Sequence, residues 1–137
     1  MSEQVREVRS HTGHLIRLAQ QRHVAVWAQV VGTETTNVQY GVLTLVHRKP
    51  GASQSDICEE LQLDRSTVAD VCVRMEKSGL VSREPAPEDR RRNVLRLTSA
   101  GRDELMRIRP LVDEVQRVLQ EELTESEQTQ LRNILLK

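Results

Sequence analysis

Arg90, Arg91 and Arg92 stand in a row inside Glu84 to Asn93, a stretch rich in proline and charge. Guanidinium groups pair with phosphate oxygens, and a narrow minor groove attracts them. Further upstream, Ser66, Asp70, Arg74 and Lys77 fall on one side of a helical repeat, with Arg65 and Thr67 flanking them at the first turn. Ser66 and Thr67 suit phosphate or base contacts, and Arg74 suits guanine O6 and N7. Asp70 has two uses, as an acceptor for cytosine N4 or as a partner for Arg74 four residues on. These residue types point to nucleic acid as the binding target.

The surrounding residues supply elements that would carry such groups. Ser53 with Asp56 three residues later is a capping pair, and Ile57 and Leu61 give the helix that follows one apolar face. Leu63 closes a short turn. Asp64 caps a second helix, whose buried stripe is Val68, Val71, Cys72 and Met75. Gly79 ends it. Two short helices joined by a tight turn predict a helix-turn-helix. Leu80 to Arg83 and Val94 to Leu97 predict a strand pair. Its prolines place 84–93 between them as an irregular loop, with the three arginines at the tip. A basic hairpin beside a helix-turn-helix is a wing.

Five motifs stand in order: Thr36-x-x-Gln39-Tyr40-x-Val42-Leu43, Leu63-Asp64-x-Ser66-Thr67-Val68, Gly79-Leu80-Val81-x-Arg83, Asp89-x-Arg91 and Leu97-Thr98-x-x-Gly101. Together they resemble the multiple-antibiotic-resistance regulator (MarR) family of winged-helix transcription factors. Each motif alone is weak, but five at the right spacing are specific, and the match covers nearly the whole chain. The resemblance implies a mainly α fold. A winged helix-turn-helix lobe over 36–97 carries a small β-hairpin wing. Dimerisation helices over 12–31 and 98–137 flank it. It also implies a homodimer on a pseudo-palindromic operator, released by a small molecule, and an Asp89 that orients Arg91.

Composition fits one domain with an aliphatic core: 137 residues, 37% hydrophobic, no Phe. Lys+Arg and Asp+Glu are both 20, so the overall basic bias of many nucleic-acid binders is missing. Distribution answers part of that, since Arg83 to Arg96 holds five arginines. The tail after Arg102 is rich in Asp and Glu. No apolar run spans a bilayer and no signal-peptide pattern is present, so a cytoplasmic location is expected. Cys58 and Cys72 lack metal or CxxC spacing and read as small buried hydrophobes. Peroxide-sensing relatives carry their reactive cysteine near the start of the first helix, where this chain has none.

Toward the N-terminus, residues 1–10 are polar and expected to fray. Thr12 is the expected cap of a helix to about Val31. Leu15, Ala19, Val26 and Val30 form one apolar stripe of it. Arg17, Gln20, Val24, Trp27 and Val31 form another on roughly the opposite side, so a partner subunit is expected to cover one. His23 borders the second stripe. Arg17, His23 and Trp27 suit an aromatic carboxylate, the guanidinium taking the anion and the indole packing on the ring. Gln20 and His14 are expected at the same site. In the resemblance, aromatic-catabolism regulators share the Gly13-His14-Leu15-x-Arg17 stretch, and effector pockets lie between this helix and the DNA-binding lobe.

Thr36 and Gln39 form a capping box for the next helix. Thr98 caps a long one. In it Leu105, Ile108, Val112, Val115 and Leu119 alternate spacings of three and four, a coiled-coil seam assigned here to a dimer. Pro110 interrupts it. Thr124 and Glu127 cap a last helix. A Gly-rich phosphate loop, a metal-spaced cluster and a nucleophile motif are all absent, so neither an enzyme nor a cofactor is expected. The remaining rival is a winged helix that binds protein, which needs no arginines at the wing tip.

Overall fold

A computed structural model of the protein describes residues 9–137. The expected fraying of residues 1–10 lies largely outside these; Arg9 and Ser10 are helical. In chain order the elements are α1 (Thr12–Val30), α2 (Asn37–Arg48), β1 (Ala52–Ser53), α3 (Gln54–Leu61), α4 (Arg65–Lys77), β2 (Val81–Ala86), β3 (Asp89–Leu97), α5 (Ser99–Leu119) and α6 (Glu125–Leu135). The fold is mainly helical with one small antiparallel sheet, as the sequence implies. No helix among the described residues is long and apolar enough to cross a membrane.

One compact unit runs from Glu34 to Pro110. Local chemistry sets its helix boundaries. Thr36 and Gln39 exchange side-chain and backbone bonds at the start of α2, and Ser53 and Asp56 do the same for α3. Gln62 closes α3 in the left-handed region at φ 54°. At the end of α4, Leu80 N–H donates to the Met75 carbonyl and Gly79 N–H to that of Glu76, both at 3.0 Å. Gly79 sits at φ 77°, where a side chain would add strain, so this is a Schellman close. Leu43, Ile57, Met75 and Leu95 are fully buried and make an aliphatic core.

The sheet order is β1-β3-β2. It corrects two expectations. Ala52–Ser53 adds a strand, pairing Ala52 with Leu95 and Ser53 with Val94. The wing is also far more regular than an 84–93 loop, because β2 runs through Pro85 to Ala86 and β3 starts at Asp89. Pro85 pairs with Asn93, and the register shifts between Pro85 and Ala86. β2 is an edge strand, where a residue without an N–H is tolerated at a bulge.

α5 begins in this unit. Thr98 Oγ1 accepts the Gly101 N–H at 3.0 Å, as a cap should. Leu105 and Ile108 are fully buried in the single chain, and Val115 further along α5 is only 3% exposed. The stripe assigned to a dimer seam is therefore largely protomer core. Helical spacing reports that a face is covered, not which chain covers it.

The second unit comprises the described residues up to Thr33 together with Leu111–Lys137. His11 rather than Thr12 is the N-cap of α1, and its side chain makes no capping bond. Thr124 and Glu127 form a full capping box on α6. Val26, Trp27 and Val31 are buried, but Leu15, Ile16, Leu18 and Val24 are exposed. So are Leu131, Ile134, Leu135 and Leu136. Apolar side chains thus crowd the surface of α1 and α6, more than scattered exposure accounts for.

Candidate nucleic-acid interface and ligand cluster

α4 presents Arg65, Ser66, Thr67, Asp70, Arg74 and Lys77 as exposed residues. Its first turn is fixed by Asp64. The Asp64 carboxylate accepts the Thr67 N–H at 2.7 Å and the Ser66 hydroxyl at 3.3 Å. Thr67, through its side chain and amide, holds the Asp64 carboxyl below its ordinary range, with Ser66 adding to the effect. Ser66 and Thr67 are thereby ordered while remaining at the surface. Asp70 and Arg74 form an ion pair at 3.2 Å, so the internal pairing is the one the fold adopts. Arg74 is presented with a carboxylate alongside it.

The turn of the wing is Pro87–Glu88, so Arg90, Arg91 and Arg92 lie not at the expected tip but just beyond it on β3, opposite the register shift, and all three are exposed. Asp89 accepts the Arg91 backbone N–H at 3.0 Å. It therefore orders the chain at Arg91 rather than gripping the guanidinium. Arg92 pairs with Glu88 at 3.3 Å. No carboxylate pairs with Arg65, Arg90 or Arg91 among the described residues, whereas Arg48, Arg83 and Arg96 each have one. The neutral total charge conceals this local excess of cations.

Between α3, α4 and the wing lies a cleft of about 340 Å³. Arg65, Arg91 and Arg92 line it, with Asp89 as its one acid. Gln54, Ser55 and Asn93 also line it, and Asn93 Nδ2 donates to Gln54 Oε1 at 3.5 Å. Sequence reasoning missed these three, because they lie on elements 39 residues apart in the chain. Cys58, half-buried, lines the same cleft and is less enclosed than expected. Cys72 is buried, and that burial pushes its thiol pKa up, away from reactivity.

Of the five ligand residues expected on α1, four form two separate pairs and Gln20 joins neither. Arg17 Nη2 lies 3.1 Å from His14 Nδ1. The His23 ring meets Trp27 edge-on, with centroids 6.2 Å apart and planes at 86°. Trp27 is 6% exposed, while Arg17 and Gln20 are at the surface. A cleft of about 320 Å³ in this unit takes in His23, with Arg22, Arg132 and Leu135, but not Arg17, Gln20 or Trp27.

Comparison with known proteins identifies the family and the fold. A family model described as "MarR family" matches residues 33–92. The transcriptional regulator HosA of Escherichia coli O111:H- is 34% identical over 108 residues, 79% of each chain. Among solved structures, the PcaV transcriptional regulator of Streptomyces coelicolor, in complex with its natural ligand, superposes with a TM-score of 0.90. It is 35% identical, over 93% of this chain and 91% of that one. A structure of Bordetella bronchiseptica BpsR, whose DNA binding is regulated by 6-hydroxynicotinic acid, gives 0.87 at 28% identity, over 92% and 91%.

Proposed function

The chain belongs to the MarR family of DNA-binding transcriptional regulators, and from that premise we propose that it is a repressor released from its operator by a small aromatic carboxylate. One observation carries the DNA half of this reading. An exposed helix with an ordered first turn and a wing strand bearing Arg91 and Arg92 border one cationic cleft. In a helix-turn-helix the second helix enters the major groove, and a wing reaches toward the neighbouring minor groove.

A homodimer on a pseudo-palindromic site completes the reading. The exposed leucines and isoleucines of α1 and α6 favour it, since a face of that kind gains stability when a second copy covers it. Two recognition helices about one helical turn apart then read two half-sites.

The effector assignment rests on Arg17 with His14 beside it, and on Gln20, His23 and Trp27 further along the same helix. A guanidinium takes a carboxylate, and the His23–Trp27 edge contact offers an aromatic wall. The named ligand of BpsR is an aromatic acid, which supports this class. Charged hydrogen bonds of this kind contribute about 1.5–3 kcal/mol. Titration calorimetry with hydroxybenzoates and hydroxynicotinates tests it. Arg17→Ala should weaken binding at least tenfold, since about 1.4 kcal/mol is a factor of ten. Equal binding to both proteins, or to neither, would remove Arg17 from the site.

A further inference from the structure

We propose that a second cationic cleft, between the end of α2, the end of β3 and the first turn of α5, binds the phosphate group of a small phosphorylated molecule through His47, Arg96 and Arg102. The cleft holds about 160 Å³, and Val46, Pro50 and Leu97 complete its lining. At about 30 Å³ per water this is room for about five waters, enough for a phosphate group and the first atoms of its carrier. It shares no residue with the cleft beside the wing or with the cluster on α1. Arg96 stands five residues beyond Arg91 on β3, about 17 Å along an extended strand, at the end away from the wing's turn. The inference therefore rests on neither the DNA reading nor the effector reading.

Three elements bring two guanidinium groups and an imidazole to this cleft, and none brings an acid into its lining. All three side chains are exposed. His47 has an ordinary use in the last turn of α2, where a positive charge answers the negative end of the helix. Arg102 has no such use. It stands in the first turn of α5, which carries no acid, so the positive end of that helix works against it. Its Nη1 donates to the Leu97 carbonyl at 3.4 Å, which holds the guanidinium at the cleft. Arg96 donates its Nε to Glu84 at 3.2 Å, an exposed pair of little strength that leaves its Nη groups for a ligand. A phosphate monoester carries nearly two negative charges and three terminal oxygens, against one charge and two oxygens for a carboxylate. Two guanidinium forks and an imidazole around one small space suit the former.

Inorganic phosphate is the probe, read by the amide chemical shifts of the full chain, which report each cleft separately. Phosphate should move the His47, Leu97 and Arg102 amides along one saturable curve, and acetate at matched ionic strength should not. Arg96→Gln and Arg102→Gln should each weaken that curve about five- to tenfold, the loss of one charged hydrogen bond at an exposed site. Arg91→Gln, in the cleft beside the wing, should leave it unchanged. So should saturating operator, whereas a site that belongs to the DNA backbone would lose its phosphate to the operator. The absence of a saturable shift at these amides in the wild type overturns the proposal. An equal response to acetate does so too, as does a curve that survives in both the Arg96 and Arg102 variants. Loss of the curve in Arg91→Gln, or on adding operator, assigns the ion to the DNA-binding surface and equally overturns it. If either variant fails to fold, the wild-type, acetate and Arg91→Gln results decide alone. None of these outcomes bears on the repressor reading, which stands or falls on its own titrations.

Discussion

The Asp89 carboxylate accepts the backbone N–H of Arg91 at 3.0 Å and leaves the Arg91 guanidinium without a carboxylate partner among the described residues. One side chain thus sets the chain's course at the wing tip, and the other keeps its charge for a ligand. The pairing implied by sequence is real, but it acts through the backbone.

The two residues should therefore fail differently. Arg91→Ala should weaken operator binding and lower the salt slope by about one unit, as expected when one phosphate contact is removed. Asp89→Ala should weaken binding by about 1 kcal/mol through a loosened turn, and Asp89→Asn should retain most of it, since Asn also offers an acceptor. Mobility shifts across a salt series check both. An Asp89→Asn protein as weak as Asp89→Ala would mean that the charge, not the turn, matters.

Gly101→Ala should destabilise the fold by about 3 kcal/mol. A Cβ at Gly101, in the first turn of α5, would collide with the Leu80 carbonyl oxygen, a backbone atom just before β2 that also accepts the Thr98 N–H. Thermal melting reads this as a fall of roughly 10 °C. An unchanged melting temperature would show that α5 can shift away from Leu80 at little cost.

How far the sequence reveals this depends on the range of each interaction. Ser53, Thr36 and Thr124 are legible as caps because their partners lie three residues on. The regularity of the wing is hidden in the sequence because Pro85 reads as a breaker, and only the sheet order shows that β2 is an edge that tolerates it. Leu105, Ile108 and Val115 show their stripe in sequence but not what covers it. The recognition-helix and wing arginines are legible by type and spacing. The cleft that joins Ser55 to Asn93 depends on packing between distant elements, which no local pattern encodes.

Asp56 gives the fold a defined acid sensitivity. The Ser53 amide holds its carboxyl below the ordinary 3.8, with Lys49 at 3.1 Å assisting against partial burial. A carboxylate depressed in the native state contributes stability that is complete above its unfolded pKa and is lost as pH falls through the native one. Urea unfolding of wild type and Asp56→Asn should therefore differ by a constant amount near neutrality, and the gap should close below pH 3.8. A gap that does not vary with pH would assign the effect to shape rather than charge. Arg48, Glu59 and Glu60 line a shallow cleft together with Asp56 and Lys49, so the paired variant is needed to isolate Asp56.

Burial separates core from candidate dimer face. Val115 is 3% exposed, so Val115→Asp should cost roughly 3–5 kcal/mol and unfold the protomer. Leu135 is 69% exposed, so Leu135→Asp should leave the helical content intact while abolishing the dimer. Circular dichroism and sedimentation at micromolar concentration distinguish the two outcomes. A wild type that sediments as a monomer would remove the dimer from the account.

The most direct test of a ligand-released repressor is the fluorescence anisotropy of labelled promoter DNA from beside the encoding gene, titrated with protein and then with aromatic acids. The account predicts saturable binding that survives excess competitor DNA at physiological salt. It also predicts loss of that binding on adding a hydroxybenzoate or hydroxynicotinate, with Arg17→Ala still bound to DNA but unresponsive. Binding with no preference over competitor, or operator binding that no aromatic acid alters, would contradict it.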